Sequence, residues 1–140
     1  MRSFNLRACS GRSELVAICI DTGCGLQVTI TGGSSPHIGA AVMALPRKSL
    51  SGSGAISCDC FELPVPGHKD YIIARKTAVR ICSELNVVTV ACVGIHNDDI
   101  RAGEIKAFVK LAEEITAEIC RRLREEQRTL PGPAKDHKQE

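Results

Sequence analysis

Three short segments hold most of the residues in this 140-residue chain whose types suit ligand chemistry: Ser34-Ser35-Pro36-His37-Ile38-Gly39, Gly67-His68-Lys69-Asp70 and Gly94-Ile95-His96-Asn97-Asp98. Neutral imidazole and carboxylate are ligands for zinc, manganese or iron. His37, His68 and His96 each sit at the end of an expected regular element, and carboxylates follow two of them, Asp70 in one case and Asp98 with Asp99 in the other. The spacing alone does not define a metal centre, because no His-x-x-x-His or His-Glu-x-x-His pattern puts two ligands on one helical turn. In the structural alternative, His37 and His96 bond local backbone carbonyls and His68 caps a helix. His37 or His96 beside Asp98 is also a pair of the type that moves protons near neutral pH.

The same segments offer a second chemistry, anion binding. Gly32-Gly33-Ser34-Ser35 carries amides and hydroxyls, the helix opening near His68 presents a positive dipole end, and Lys69 and Arg75 add charge. No Gly-Lys-Ser or Gly-Lys-Thr triplet follows the glycines, so this is not a nucleotide-binding P-loop. No serine lies in a Gly-x-Ser-x-Gly elbow either. The fourth histidine, His137, falls in a polar tail.

The elements that must position these segments follow from periodicity. Residues 13–21 and 26–31 alternate around Thr22-Gly23-Cys24-Gly25 and predict a β-hairpin. Residues 40–45 and 56–63 predict two more strands joined by a Ser/Gly-rich loop, with Pro64 and Pro66 ending the second. Between 69 and 85 the period becomes helical, with Ile72, Ala78 or Val79, Cys82 and Leu85 on one face and Asn86 as the stop. Residues 87–95 are β-branched and apolar on both faces, which predicts a central strand covered from both sides. Ile105, Phe108, Ala112, Ile115, Ile119 and Leu123 mark a last helix, before Pro131 and Pro133. The expected order is ββββαβα, an α+β domain over residues 1–128 with a mostly antiparallel sheet, two helices on a face and a disordered polar tail at 129–140.

Composition narrows the function classes. A net charge of +2 is too small for phosphate-backbone attraction, and with 3% aromatics, no tryptophan and one tyrosine the chain lacks base-stacking platforms. No apolar run approaches the ~20 residues of a membrane span and no signal-peptide core opens the chain, so the expected location is cytoplasmic. The eight cysteines include no Cys-x-x-Cys. Most are expected to be reduced core residues, with Cys58 and Cys60, two apart on one strand face, as the redox or metal candidate.

The run from Thr29 to Ala40 (Thr-Ile-Thr-Gly-Gly-Ser-Ser-Pro-His-Ile-Gly-Ala), followed by Gly67-His68-Lys69-Asp70 and by Val93-Gly94-Ile95-His96-Asn97-Asp98, resembles the small prenylated-flavin chaperones of the LpdD-like family. The resemblance spans about residues 10–125 and extends in fold to proteasome-assembly-chaperone domains. It implies a homodimeric, non-catalytic binding protein that holds prenylated FMN and assists its delivery to, or maturation in, a partner UbiD-like aromatic-acid decarboxylase. Carried onto this chain, it implies a cofactor site at Gly33, Ser34, Ser35, Pro36, His37, Gly39, His68, Lys69, Asp70 and His96, with His37, His68 and His96 available to a divalent metal. A small histidine-based metal-dependent enzyme and an assembly module without cofactor are the competing expectations.

Overall fold

In the computed structural model, which describes residues 1–129, the chain alternates strands and helices in the order β1 (Arg2–Ser10), β2 (Ser13–Asp21), β3 (Gly25–Gly33), β4 (Ala40–Lys48), β5 (Ile56–Pro64), α1 (Tyr71–Leu85), β6 (Val88–His96), α2 (Ala102–Thr129). The six strands form one sheet in the order β1-β2-β3-β6-β4-β5. All pairings are antiparallel except β3 with β6. The α+β class and mostly antiparallel sheet are as the sequence predicts. The order gains one strand, because β1 precedes the expected hairpin.

β1 is hard to see in the sequence for two reasons. Its apolar residues Phe4, Leu6 and Ala8 alternate with Ser3, Asn5 and Arg7, the polar dressing of an edge strand. Its turn is Gly11-Arg12, without the Asn-Gly or Asp-Gly signature of a tight hairpin. The expected tail from residue 130 onward lies outside the described residues, and Thr129 ends α2. Among the described residues no helix is long and apolar enough to cross a membrane.

Both helices lie on one face of the sheet, α1 over β4, β5 and β6 and α2 over β1 and β2, in contact with each other. The core between them is aliphatic: Leu15, Val28, Ile30, Val42 and Val93 from the sheet meet Ile81 and Ile119 from the helices, all fully buried. Asn86 closes α1 in the left-handed conformation (φ 52°), the C-cap that asparagine tolerates.

The helical stripes depart from expectation at two residues. Ile72 and Ile105 are 44% and 51% exposed, and the inward face of α1 is instead Ala74, Thr77, Ala78, Ile81, Cys82 and Leu85. Ile119→Ala should cost about 2–5 kcal/mol of unfolding free energy through lost contacts and a residual cavity. Ile105→Ala, from the same sequence stripe, should lower the urea midpoint far less.

Candidate functional site

The topology brings the three loop segments together. β3, β5 and β6 run in the same direction, since β4 is antiparallel to both β5 and β6 while β3 is parallel to β6. Residues 34–39 follow β3, residues 65–70 follow β5 and residues 97–101 follow β6, so all three loops leave the same end of the sheet. Both helices begin at that end, adding their positive dipole termini. Carboxyl ends of parallel strands flanking a change in strand order are a recurrent place for ligand sites.

Because β6 is inserted between β3 and β4, the chain leaving β3 must cross the end of β6 to begin β4. Residues 34–39 form this strap. Ser35 N–H donates to the His96 carbonyl (3.2 Å) and Gly39 N–H to the Val93 carbonyl (2.9 Å). A Cβ on Gly94 would overlap the backbone carbonyl of His37, and a Cβ on Gly39 would overlap the carboxylate of Asp70. The two glycines therefore allow the strap to lie flat on β6 and Asp70 to lie against the strap.

Asp70 is the N-cap residue of α1, yet its side chain makes no capping bond. A capping aspartate ordinarily accepts from the first free amides of its own helix. Here Oδ1 accepts the Ile95 N–H (3.0 Å), while Oδ2 faces His37 Nε2 (3.4 Å) and His68 Nδ1 (3.7 Å). Its side chain is only 8% exposed. His37 Nε2 and His68 Nδ1 are 2.9 Å apart. His37 Nδ1 lies 3.3 Å from the Ser35 carbonyl, an acceptor, so the neutral ring with its proton on Nδ1 presents the Nε2 lone pair to the cluster.

Among the described residues, His37, His68 and Asp70 form a group whose ligand atoms all lie within 4.8 Å of one another. Ligands bound at ~2.0–2.1 Å sit about 3.3 Å apart around a tetrahedral ion and about 3.0 Å apart around an octahedral one. The observed separations of 2.9, 3.4 and 3.7 Å span these values. The donor set therefore fits a divalent cation with positions left open for a ligand.

The other expected residues are placed differently. His96 is half exposed, its ring 6.1 Å from that of His37 and its Nε2 3.2 Å from Asp98 Oδ1. The anion loop is bonded internally: Asn97 Oδ1 accepts the Ser34 N–H (2.8 Å), the Ser35 N–H is taken by His96, and Ser34 Oγ accepts the Asp98 N–H (3.1 Å). Arg75 pairs with Glu62 on β5, away from the glycines. Lys69 is exposed on the rim of the site.

Two cavities flank the cluster. One of about 320 Å³ is walled by Ile72, Ile95, Ile100, Ile105, Phe108 and Val109 and bordered by His68, Lys69, Asp70 and His96. The two isoleucines that the helical pattern assigned to the core thus line this cavity instead. The second, about 660 Å³, has a mixed lining and lies beyond the strap, between Arg12, Glu14, Val16, Thr31, Gly33, Ser34, Pro36, Asn97, Asp98 and Asp99. Arg12 binds Glu104 across this region, and that hydrogen bond holds the Glu104 carboxyl down at about 2. The stabilisation is present above the ordinary glutamate range and is lost as pH falls toward 2. Sequence patterns did not single out Arg12, Asn97 as a strap acceptor, or the aliphatic lining. The one available signal was apolar residues at helix positions close to a histidine.

All eight cysteines are free thiols. Cys58 and Cys60 sit half-buried on the inner face of β5, Cys58 with its thiol 3.6 Å from the Val79 carbonyl. Burial pushes the thiols of Cys19 and Cys82 up to about 12 and that of Cys120 up to about 11. Raised folded-state values mean that their contribution to stability is complete below about pH 9 and is lost as pH climbs through 11–12. At pH 8 a thiol reagent should modify the exposed Cys9 and Cys24 in the native protein, whereas Cys19, Cys82 and Cys120 should react only after unfolding. Peptide mass spectrometry of labelled protein checks this.

An aliphatic cavity lies beside an imidazole–carboxylate cluster, both at the carboxyl ends of a parallel strand pair, an arrangement of the kind that holds small ligands. The chain belongs to the family of the prenylated flavin chaperone LpdD-like domain, whose profile matches residues 9–124. That membership assigns a chaperone role rather than an enzymatic one. Among curated proteins none matches the sequence. Among solved structures, a chain from the crystal structure of a novel chaperone complex for yeast 20S proteasome assembly superposes with a TM-score of 0.54 at 14% identity, covering 90% of this chain and 98% of that one. At that identity the likeness shows the fold alone.

Proposed function

We propose that the protein holds prenylated FMN at the strap end of the sheet and passes it to a UbiD-like aromatic-acid decarboxylase. The observation that carries this reading is the diversion of the Asp70 carboxylate from helix capping to the two histidines, directly beside an aliphatic cavity. A prenylated flavin has the matching duality, a flat ring system with a large apolar part and a dianionic phosphate.

In this arrangement Ile72, Ile100, Ile105 and Phe108 receive the ring system and exclude water from one side of it. His37, His68 and Asp70 would hold a divalent ion, which would supply positive charge to the phosphate, and Lys69 on the rim adds to it. His96 stands at the mouth, where its imidazole offers a polar contact. Gly33, Ser34, Ser35, Pro36 and Gly39 act by shaping the strap, since the Ser34 and Ser35 amides are occupied within it. Eight free thiols suit a reducing compartment, the cytoplasm.

The delivery step is tested by loading the protein with reduced prenylated FMN without oxygen, desalting it and mixing it with apo-decarboxylase. Activity should return faster than with the same concentration of free cofactor. Equal rates would remove the delivery role.

A further inference from the structure

The aliphatic cavity beside the histidines does not stop at the first turns of the helices. A second apolar cavity, about 330 Å³, continues between α1 and α2, and Ile73 of α1 and Val109 of α2 line both. From Ile72 to Arg80 the resulting groove follows α1 for about 12 Å. His68, Lys69 and Asp70 border one end of it. At the other, Arg80 donates to Glu84 (2.8 Å), which also accepts from Arg124 (2.7 Å), so an ion network joins the two helices and ends the groove. Between these ends Lys76 and Glu113, one from each helix, pair across it at 3.3 Å.

The floor of the second cavity asks nothing polar of an occupant. Thr116 Oγ1 donates to the Ala112 carbonyl (2.7 Å) and, with that proton committed, accepts from Thr77 Oγ1 (3.2 Å). Both hydroxyls are satisfied within the protein, and among the described residues no buried side-chain polar atom lacks a partner.

We infer that this groove is a second half of the ligand site and takes the hydrocarbon chain of an aliphatic phosphate ester, whose phosphate lies at the His37, His68 and Asp70 cluster. Shape and chemistry select this occupant. A partner helix is about 10–12 Å across and has no room in a slot bridged by an ion pair. A sugar or a nucleobase would leave its polar groups facing Ile73, Val79 and Val109 without partners, and burial of an unpaired polar group is unfavourable. A flexible chain follows the groove and needs no hydrogen bond. Lys76 and Glu113 neutralise each other, so the charge of the ligand is selected at the cluster end, where Lys69 stands. Placing the phosphate there rests on the proposed cation site; seating the chain between the helices does not. Prenylated flavin and the ester then share the phosphate position and compete.

Calorimetric titration of the full chain with butyl, hexyl and octyl phosphate in the presence of manganese reads the groove directly. Affinity should rise about fourfold per methylene, the gain expected from burying each one. Octyl phosphate should displace prenylated FMN. Val79→Trp, at a half-buried position that lines the second cavity and not the first, should bind octyl phosphate at least tenfold more weakly and prenylated FMN as well as the wild type, with its fold checked by circular dichroism. Equal affinity for the three esters in a wild type that binds prenylated FMN overturns the inference and leaves the cofactor reading standing. A rise with chain length that Val79→Trp leaves intact also overturns it, because the chain would then lie elsewhere. Simultaneous binding of octyl phosphate and prenylated FMN overturns the shared phosphate position. A rise blocked by Val79→Trp in a protein that binds no prenylated FMN supports the groove and overturns the cofactor reading instead.

Discussion

His37→Ala and Asp70→Asn should each weaken binding of reduced prenylated FMN about 10- to 100-fold, measured by anaerobic titration. Each substitution removes one charge-assisted bond or metal ligand, of about 1.5–3 kcal/mol. Asp70→Asn is the sharper of the two. It is nearly isosteric, and its carbonyl oxygen can still accept the Ile95 N–H, so the start of α1 stays anchored while the negative charge between the histidines is lost. His96→Ala should cost less, under about tenfold, because His96 lies outside the three-atom cluster and faces Asp98. A larger loss for His96→Ala than for Asp70→Asn would move the centre of the site to the mouth of the cavity. Metal content measured on the same variants separates the contributions: Asp70→Asn should lower the affinity for a divalent ion even without flavin.

The second large effect is expected at Gly94, a residue with no side chain to offer. A methyl group there would occupy the position of the His37 carbonyl, so Gly94→Ala must lift the strap off β6. Crowding of this kind costs roughly 1–3 kcal/mol, visible as a lower denaturation midpoint. Lifting the strap also stretches the Gly39-to-Val93 bond and moves His37 away from His68 and Asp70. Flavin affinity should therefore fall as far as in His37→Ala, although no ligating atom has been removed. A Gly94→Ala protein that binds normally would show that strap height is irrelevant to the site.

Residues with strong periodic signals were legible without a structure. The two helices, β6 and the hairpin of β2 and β3 follow from runs of apolar residues at clear spacings. β1 was hidden because an edge strand displays polar residues outward and its turn lacks a diagnostic pair. The convergence of His37 and His68 could not be read from spacing, since 31 positions separate them. It depends on β6 entering between β3 and β4, a non-local pairing with no local signature. The same holds for Ile72 and Ile105: their periodicity reports a helix face, while only the packed structure shows that residues near the start of both helices line a cavity.

Asp70 illustrates a different limit. Its sequence position suits a helix cap, and the structure confirms the position but not the bond. A residue at a capping site that bonds elsewhere is a local rule broken in favour of a site, and it became visible only once the partners of its oxygens were known. β6 is the converse case. Its two-sided apolar pattern predicts cover on both faces, whereas the helices cover only one and Val88, Val90 and Cys92 are half-buried.

A sheet end that holds a prenylated flavin should yield that flavin on denaturation. The most direct test is the absorbance spectrum and mass of the small molecule released by denaturing protein that was co-expressed with a flavin prenyltransferase and purified without oxygen. The wild type should release one prenylated FMN per chain, and Asp70→Asn a strongly reduced amount. Wild-type protein that releases no prenylated flavin, or that retains as much in Asp70→Asn, would contradict it.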